Sequence, residues 1–209
     1  MRENICFIYG AGEHYAEPPM PDAGDIVIAA DGGYAYLMRY NIPINLIVGD
    51  FDSLGFIPDK EDTITLPQIK DDTDMAAALQ AGWNSGFRIF HIYGGTGGRL
   101  DHTLANIQCL ANLAECGGRG FLFDKETVIT AIHNDTISFP VTAKGIVSVF
   151  AHSDTAAGVY ESGLKYSLED ATLSNTSTLG ISNEFIGEPG SIAVREGTLI
   201  IIYPKGIER

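Results

Sequence analysis

Arg88-Ile89-Phe90-His91-Ile92-Tyr93-Gly94-Gly95-Thr96-Gly97-Gly98-Arg99-Leu100-Asp101-His102 joins an apolar run, a glycine loop and the start of a helical pattern. A continuous apolar run of this kind reads as a strand covered on both faces, and such strands belong to mainly parallel sheets. A glycine loop leading into a helix N-terminus lets free backbone N–H groups converge on an anion. It is not a Walker A loop, because Lys-Ser/Thr does not follow the glycines. Arg99 can fork onto a phosphate, and Asp101 and His102 fall in the first helical turn. A lone histidine there is more often a structural hydrogen bonder than a catalyst.

The same texture extends to either side. Residues 4–9 (NICFIY), 25–30 (DIVIAA), 44–48 (INLIV) and 120–123 (GFLF) read as further buried strands, several ending at Gly or Asp. Met75, Ala78, Leu79 and Gly82 recur at helical spacing over 73–83, with Asp72 or Thr73 as N-cap; Leu104, Ile107, Ala111 and Ala114 predict a second helix ended by Gly117-Gly118. Strands alternating with helices predict a doubly wound, Rossmann-like α/β layer over 1–134. From 135 to 209 the pattern changes to short alternating runs broken by Gly, Pro, Asn and Ser, at 136–139, 146–150, 171–174, 182–186, 191–194 and 198–203. That predicts a small all-β domain, sandwich or barrel.

A chain of 209 residues, 45% hydrophobic, can bury a core as one large domain or two small ones. The net charge of −14 argues against non-specific nucleic-acid binding, which draws its affinity from Lys and Arg. Residues 1–134 hold 18 acidic and 8 basic side chains, so a phosphate ligand needs accompanying metal ions while a cationic co-substrate is attracted. The apolar run 5–9 is too short for a secretory signal and no stretch reaches membrane-spanning length, so a soluble cytoplasmic protein with no membrane partner is expected. Cys6, Cys109 and Cys116 form no CxxC pair and read as buried thiols.

Acidic signatures surround the glycine loop. Gly49-Asp50-Phe51-Asp52-Ser53 follows a predicted strand, and Lys70-Asp71-Asp72-Thr73-Asp74 opens a predicted helix. In an open α/β sheet ligands bind at the carboxyl ends of strands, where these aspartates sit. On an extended backbone Asp50 and Asp52 point the same way, about 6.5 Å apart, near enough to share one metal cluster through direct or water-mediated contacts, with phosphate oxygens completing a Mg2+ shell. A single DxDS is better explained as a solvated turn; recurrence at Asp71 and Asp74 tips the balance to a divalent-cation site. Asp72 reads as a cap, Thr73 offers a hydroxyl to phosphate or metal-bound water, and Lys70 either contacts phosphate or balances charge. Asp31-Gly32-Gly33 is a further phosphate-sized opening that a tight turn explains nearly as well, and Gly10-Ala11-Gly12 is only half of a dinucleotide fingerprint.

In the order DGG, GDFDS, KDxTD and GGTGGRLDHTLAN, followed by Gly180-Ile181-Ser182-Asn183-Glu184-Phe185, the chain resembles bacterial thiamine pyrophosphokinases from near residue 26 to its end. The resemblance implies a catalytic α/β nucleotide-binding domain over 1–134, a thiamine-binding β-sandwich over 135–209, and a homodimer with active sites at the subunit boundary. It further implies transfer of the terminal diphosphate of ATP to thiamine, releasing AMP. By position, Asp50, Asp52 and Asp74 resemble the magnesium set, with Asp71 a further ligand or the acceptor of the hydroxyl proton. Asp31, Gly32, Gly33, Thr73, Gly97, Gly98, Arg99, Asp101 and His102 resemble the nucleotide and phosphate shell, and Ser182 and Asn183 the thiamine side. Some members place a tryptophan there, whereas this chain has only Trp83; Tyr166 and Phe185 are the candidates for stacking on thiamine, although core packing is the stronger explanation of both. Two other readings use the same residues: a metal-dependent nucleotide phosphohydrolase with water as nucleophile, and a non-catalytic nucleotide-sensing module.

Overall fold

Strand β1 (Ile5–Tyr9) runs parallel to β2 (Ile26–Ala30), which precedes helix α1 (Gly33–Arg39); β3 (Leu46–Gly49) and β4 (Thr63–Thr65) extend the sheet on one side. Helix α2 (Asp74–Asn84) then leads to β5 (Ile89–Tyr93), parallel to β1 on its other side. The computed structural model describes residues 2–51, 63–65 and 72–207. It divides into two compact units, the first being Met1–Cys109 with Leu122–Lys125 and the second Leu110–Phe121 with Glu126–Arg209. The chain is thus mixed α/β, with a large sheet and a second, antiparallel sheet.

Within the first unit the strand order is β5-β1-β2-β3-β4. Tyr9 stands opposite both Ala29 and Tyr93, and Ala30 opposite Val48, so the strands reach their carboxyl ends together. Phe7, Tyr9, Val27, Ala29, Ile47 and Phe51 gather on one face with Leu37 of α1. Alternation sends Cys6, Ile8 and Ile28 to the other face, equally buried. Helix α2 packs across β1, β2 and β3 and runs against their direction. A side-chain carbon on Gly10, after β1, would meet Met75 at the helix start, whereas one on Gly82 near its end would meet Cys6 at 2.7 Å. This direction brings Asp74 to the carboxyl rim. The helix starts there because Thr73 Oγ1 accepts the Ala76 N–H at 3.1 Å.

Helix α3 (Leu100–Glu115) and β6 (Arg119–Phe123) contribute residues to both units. The second unit holds β7 (Thr127–His133), β8 (Thr136–Phe139), β9 (Ile146–Ala151), β10 (Thr155–Ser162), β11 (Leu168–Ser174), β12 (Asn183–Glu184), β13 (Gly190–Glu196) and β14 (Thr198–Pro204). They pair antiparallel in the orders β12-β9-β14-β7 and β11-β10-β13-β8.

Elements α1, β4, β7 and β10 lie outside the segments expected from sequence. Helix α1 is only seven residues long and follows a DGG turn signal. Gly158 hides β10: it stands at φ 66° beside a register shift between Ala157 and Val159, where a bulge re-aims the strand. The expected strand over 182–186 shrinks to Asn183–Glu184. Among the described residues no helix is long and apolar enough to cross a membrane.

Candidate active site at the carboxyl rim of the parallel strands

The loops after β1 and β5 are built as a pair. Gly10 N donates to the Tyr93 carbonyl at 2.8 Å, Gly12 N to Gly94 at 2.8 Å, and Glu13 N to Thr96 at 2.9 Å. A Cβ on Gly12 would lie 2.5 Å from the Thr96 carbonyl oxygen, so this approach excludes any side chain. Two buried side chains anchor the glycine loop from below: Thr96 Oγ1 donates to Asp124 at 2.6 Å, and Asn106 Nδ2 donates to the Gly95 carbonyl at 2.7 Å. With its base held, the loop presents Gly97 and Gly98 at its tip, both at positive φ (74° and 68°), directly before α3.

After β2, Asp31 N donates to the Val48 carbonyl at 2.8 Å, tying this loop to the end of β3. Gly32 precedes α1, and Gly33, its first residue, lies against the Tyr9 carbonyl. Asp50 follows β3 beside Phe51, whose ring is in the core cluster and whose φ of 60° turns the chain sharply there. Thr73 Oγ1 is used as an acceptor in the cap, and a hydroxyl so used can still donate. Asp52, Asp71 and Lys70 lie outside the described residues.

Arg99 is exposed and folds onto Asp101, with Nε 3.1 Å from Oδ1 and Nη2 2.5 Å from Oδ2. The pairing hydrogen bond raises the guanidinium pKa and lowers that of the carboxyl. Asp101 Oδ1 also accepts the His102 N–H at 3.0 Å, the normal use of an acid in a first helical turn. The fork anticipated for phosphate is thus engaged by a carboxylate in this structure.

Among the described residues no three His, Cys, Asp or Glu side chains gather closely enough to hold a metal. Mg2+ needs few protein ligands, since it keeps waters and is bound through one or two carboxylates plus substrate phosphates. Asp50 and Asp74, hard oxygen donors at this rim, fit that requirement.

Sequence reading missed His14. It stacks on Tyr36 of α1 with centroids 3.6 Å apart and planes at 6°, and its Nε2 lies 3.0 Å from the Gly10 carbonyl. Burial lowers its pKa. The pair lines a cleft of about 430 Å³ with Tyr15, Arg39 and Tyr40. Helical spacing from Tyr36 to Tyr40 was the available signal.

In the second unit Ser182 is exposed at φ 60°, its N–H donating to Ser148 Oγ at 3.1 Å. Asn183 is buried and all its polar positions are used. Its Nδ2 donates to Glu161 Oε2 at 2.7 Å and to the Tyr166 carbonyl at 2.6 Å, while Oδ1 accepts the N–H groups of Tyr166 and Glu184, both at 2.9 Å. Of the two stacking candidates, Phe185 packs in the core against Phe139, whereas Tyr166 is 62% exposed. Trp83 lies under Arg88, 3.7 Å from its guanidinium carbon.

Residues 20–117 match the family model for the thiamin pyrophosphokinase catalytic domain, and residues 134–199 match that for the thiamin pyrophosphokinase vitamin B1 binding domain. A thiamine pyrophosphokinase from Bacillus subtilis is 30% identical over 188 residues, covering 87% of this chain and 88% of that one. The chain belongs to the thiamine pyrophosphokinase family. Its structure agrees with the crystal structure of the enzyme of that name from Bacillus subtilis at a TM-score of 0.81, with 27% identity over 98% of this chain and 100% of that one. For the thiamin pyrophosphokinase from Geobacillus thermodenitrificans the TM-score is 0.79, again with 27% identity and coverage of 98% and 100%. Every candidate phosphate residue from Asp31 to His102 lies within the match to the catalytic domain, and Glu161, Tyr166, Ser182 and Asn183 lie within that to the vitamin B1 binding domain of the thiamine pyrophosphokinases.

Proposed function

We propose that this chain transfers the terminal diphosphate of ATP to the hydroxyl of thiamine, giving thiamine diphosphate and AMP. The match of both family models along one chain carries this reading. In the first unit, the glycine-loop N–H groups, the start of α3 and the Arg99 fork supply the positioning and charge stabilisation that phosphoryl transfer asks of a protein.

The site assignment is part of the proposal. The thiamine hydroxyl oxygen bonds to the β-phosphorus in line as the bond from that phosphorus to the oxygen bridging it to the α-phosphorus breaks, and AMP leaves with that oxygen. Asp71 accepts the hydroxyl proton or joins the metal ligands. Asp31, Gly32, Gly33, Thr73, Gly97, Gly98, Arg99, Asp101 and His102 form the nucleotide and phosphate shell, Asp101 by aiming Arg99. Asp50, Asp52, Asp71 and Asp74 would hold Mg2+. When bound, Mg2+ supplies the positive charge that reconciles a polyphosphate with a chain of net charge −14. The cationic thiazolium is drawn by the same acidic field.

Residues 1–134 act, in this reading, as a Rossmann-like nucleotide-binding domain and 135–209 as a thiamine-binding sandwich. Tyr166 takes the stacking role and Ser182 the polar one, because the Asn183 amide is already saturated. Exposed Ile146, Leu179, Ile181 and Ile186 support a homodimer. ATP use and three free thiols support a cytoplasmic setting. Incubation with ATP and Mg2+, with and without thiamine and with EDTA, tests the core of the proposal. AMP and thiamine diphosphate are expected only with thiamine and metal together; AMP formed without thiamine would point to the hydrolase instead.

A further inference from the structure

We infer that Glu161, buried in the second unit, is a positioning residue for thiamine, acting through Asn183 on the two flanking groups that meet the substrate. This deepens the proposal that Ser182 and Tyr166 lie on the thiamine side, and rests on it.

Glu161 is 1% exposed on β10. A carboxyl there is costly, since buried charges are rare unless paired and even a neutral buried acid needs partners. Its only hydrogen bond among the described residues is the 2.7 Å contact from Asn183 Nδ2 to Oε2; Oε1 is buried without a partner. An apolar side chain of similar size would avoid that cost. The carboxyl must therefore be understood by what it does to Asn183.

An asparagine amide has two donors and two acceptor positions, and all four are occupied here. Turned over, the amide would aim its NH2 at the Tyr166 and Glu184 N–H groups and its oxygen at Glu161 and the Tyr166 carbonyl, repulsive on both sides. Glu161 is the side-chain acceptor that resists this flip. The amide in turn grips Tyr166 by both backbone polar groups, N at 2.9 Å and O at 2.6 Å, while the ring stays exposed. The same residue fixes the chain that places Ser182 immediately before it at φ 60°. Glu161 itself cannot touch a ligand, so its influence on thiamine passes wholly through this clamp.

The test measures thiamine KM, ATP KM, kcat and melting temperature for Glu161→Leu, Glu161→Asp, Glu161→Gln, Ser182→Ala and Leu173→Ala. Glu161→Leu leaves one Asn183 donor unsatisfied and is expected to raise thiamine KM about tenfold, with ATP KM and kcat within about twofold. Glu161→Asp, one methylene shorter, gives a smaller rise and serves if the leucine variant does not fold. Glu161→Gln keeps a carbonyl acceptor and restores near-normal thiamine KM. Leu173 is buried on β11, and Leu173→Ala lowers the melting temperature without moving thiamine KM. If Ser182→Ala raises thiamine KM but neither Glu161→Leu nor Glu161→Asp does, the positioning role is overturned and the thiamine-side reading stands. If none of these variants moves it, both fail. A rise in thiamine KM on Leu173→Ala matching that on Glu161→Leu would reduce Glu161 to a structural residue.

Discussion

Replacing Gly33 with alanine should unfold the first unit more readily than replacing Gly98 of the glycine loop after β5, although only the loop glycine has a left-handed backbone. A Cβ on Gly33 would stand 1.9 Å from the Tyr9 carbonyl oxygen and 2.5 Å from its carbon, about 1.5 Å inside ordinary contact at 3.4 Å. Neither partner can rotate away, because both are backbone: one opens α1, the other closes β1. Relief requires α1 to lift from the sheet, uncovering Leu37, which is fully buried. The upper range for overpacking, about 3 kcal/mol, is the appropriate magnitude. Gly98 presents the reverse case, with φ 68° and nothing within 4 Å of its Cβ position. There alanine costs only backbone strain, about 1 kcal/mol. With a urea m-value of about 2 kcal/mol/M, the midpoint falls by about 1.5 M for Gly33→Ala and about 0.5 M for Gly98→Ala. Trp83, the single tryptophan, sits on α2 in the first unit, so its fluorescence in a urea titration reads this unit directly. A shift for Gly33→Ala no larger than that for Gly98→Ala would refute the steric account.

Thr73→Ala removes the cap of α2 and is expected to cost about 1 kcal/mol, seen as a lower urea midpoint in the same fluorescence assay. Asp74→Asn should abolish AMP formation while leaving the melting temperature nearly unchanged, since a rim carboxylate is neutralised without altering shape; near-normal turnover removes Asp74 from the proposed metal ligands. Burial, reinforced by Arg2, holds His91 down at about 4, so the folded state binds fewer protons than the unfolded chain between there and about 6.5. Stability of the first unit should therefore fall as pH drops through that window, and His91→Phe should flatten the slope in melts recorded across it. Glu161 behaves with the opposite sign. Burial raises its pKa, so its destabilising effect grows as pH rises above the ordinary glutamate range, and Glu161→Gln should remove that loss in second-unit melts.

The parallel strands were legible because each is a continuous buried run: β1, β2 and β5 start one residue inside their expected bounds. Helix α2 was equally legible, from its apolar spacing and its threonine cap. Strand β7 carries Val128, Ile129, Ala131 and Ile132 in one buried run, and its β-branched content was signal enough to find it. Strand β10 was harder, because the glycine that accommodates its bulge looks like a loop in one dimension. The same division holds for the site. Glycines and acids at strand ends mark the rim, but their partners are set by tertiary contact. Thr96 meets Asp124 across 28 positions and Glu161 meets Asn183 across 22, and no local pattern encodes either pairing. The pattern marks Arg99 as a ligand but not its restraint, although that restraint lies only two residues away.

Gly10 and Gly94 are mutually exclusive of side chains: a Cβ on the first would fall 2.6 Å from the carbonyl oxygen of the second, and one on the second 2.5 Å from that of the first. Two backbones so interlocked, with Gly10 and Gly12 also donating across the seam, behave as a single mechanical part. A segment that closed over substrate after β5 would have to carry its neighbour along. Over generations the constraint is the same, because lengthening either turn forces a compensating change in the other. The pair can be transplanted or redesigned only together.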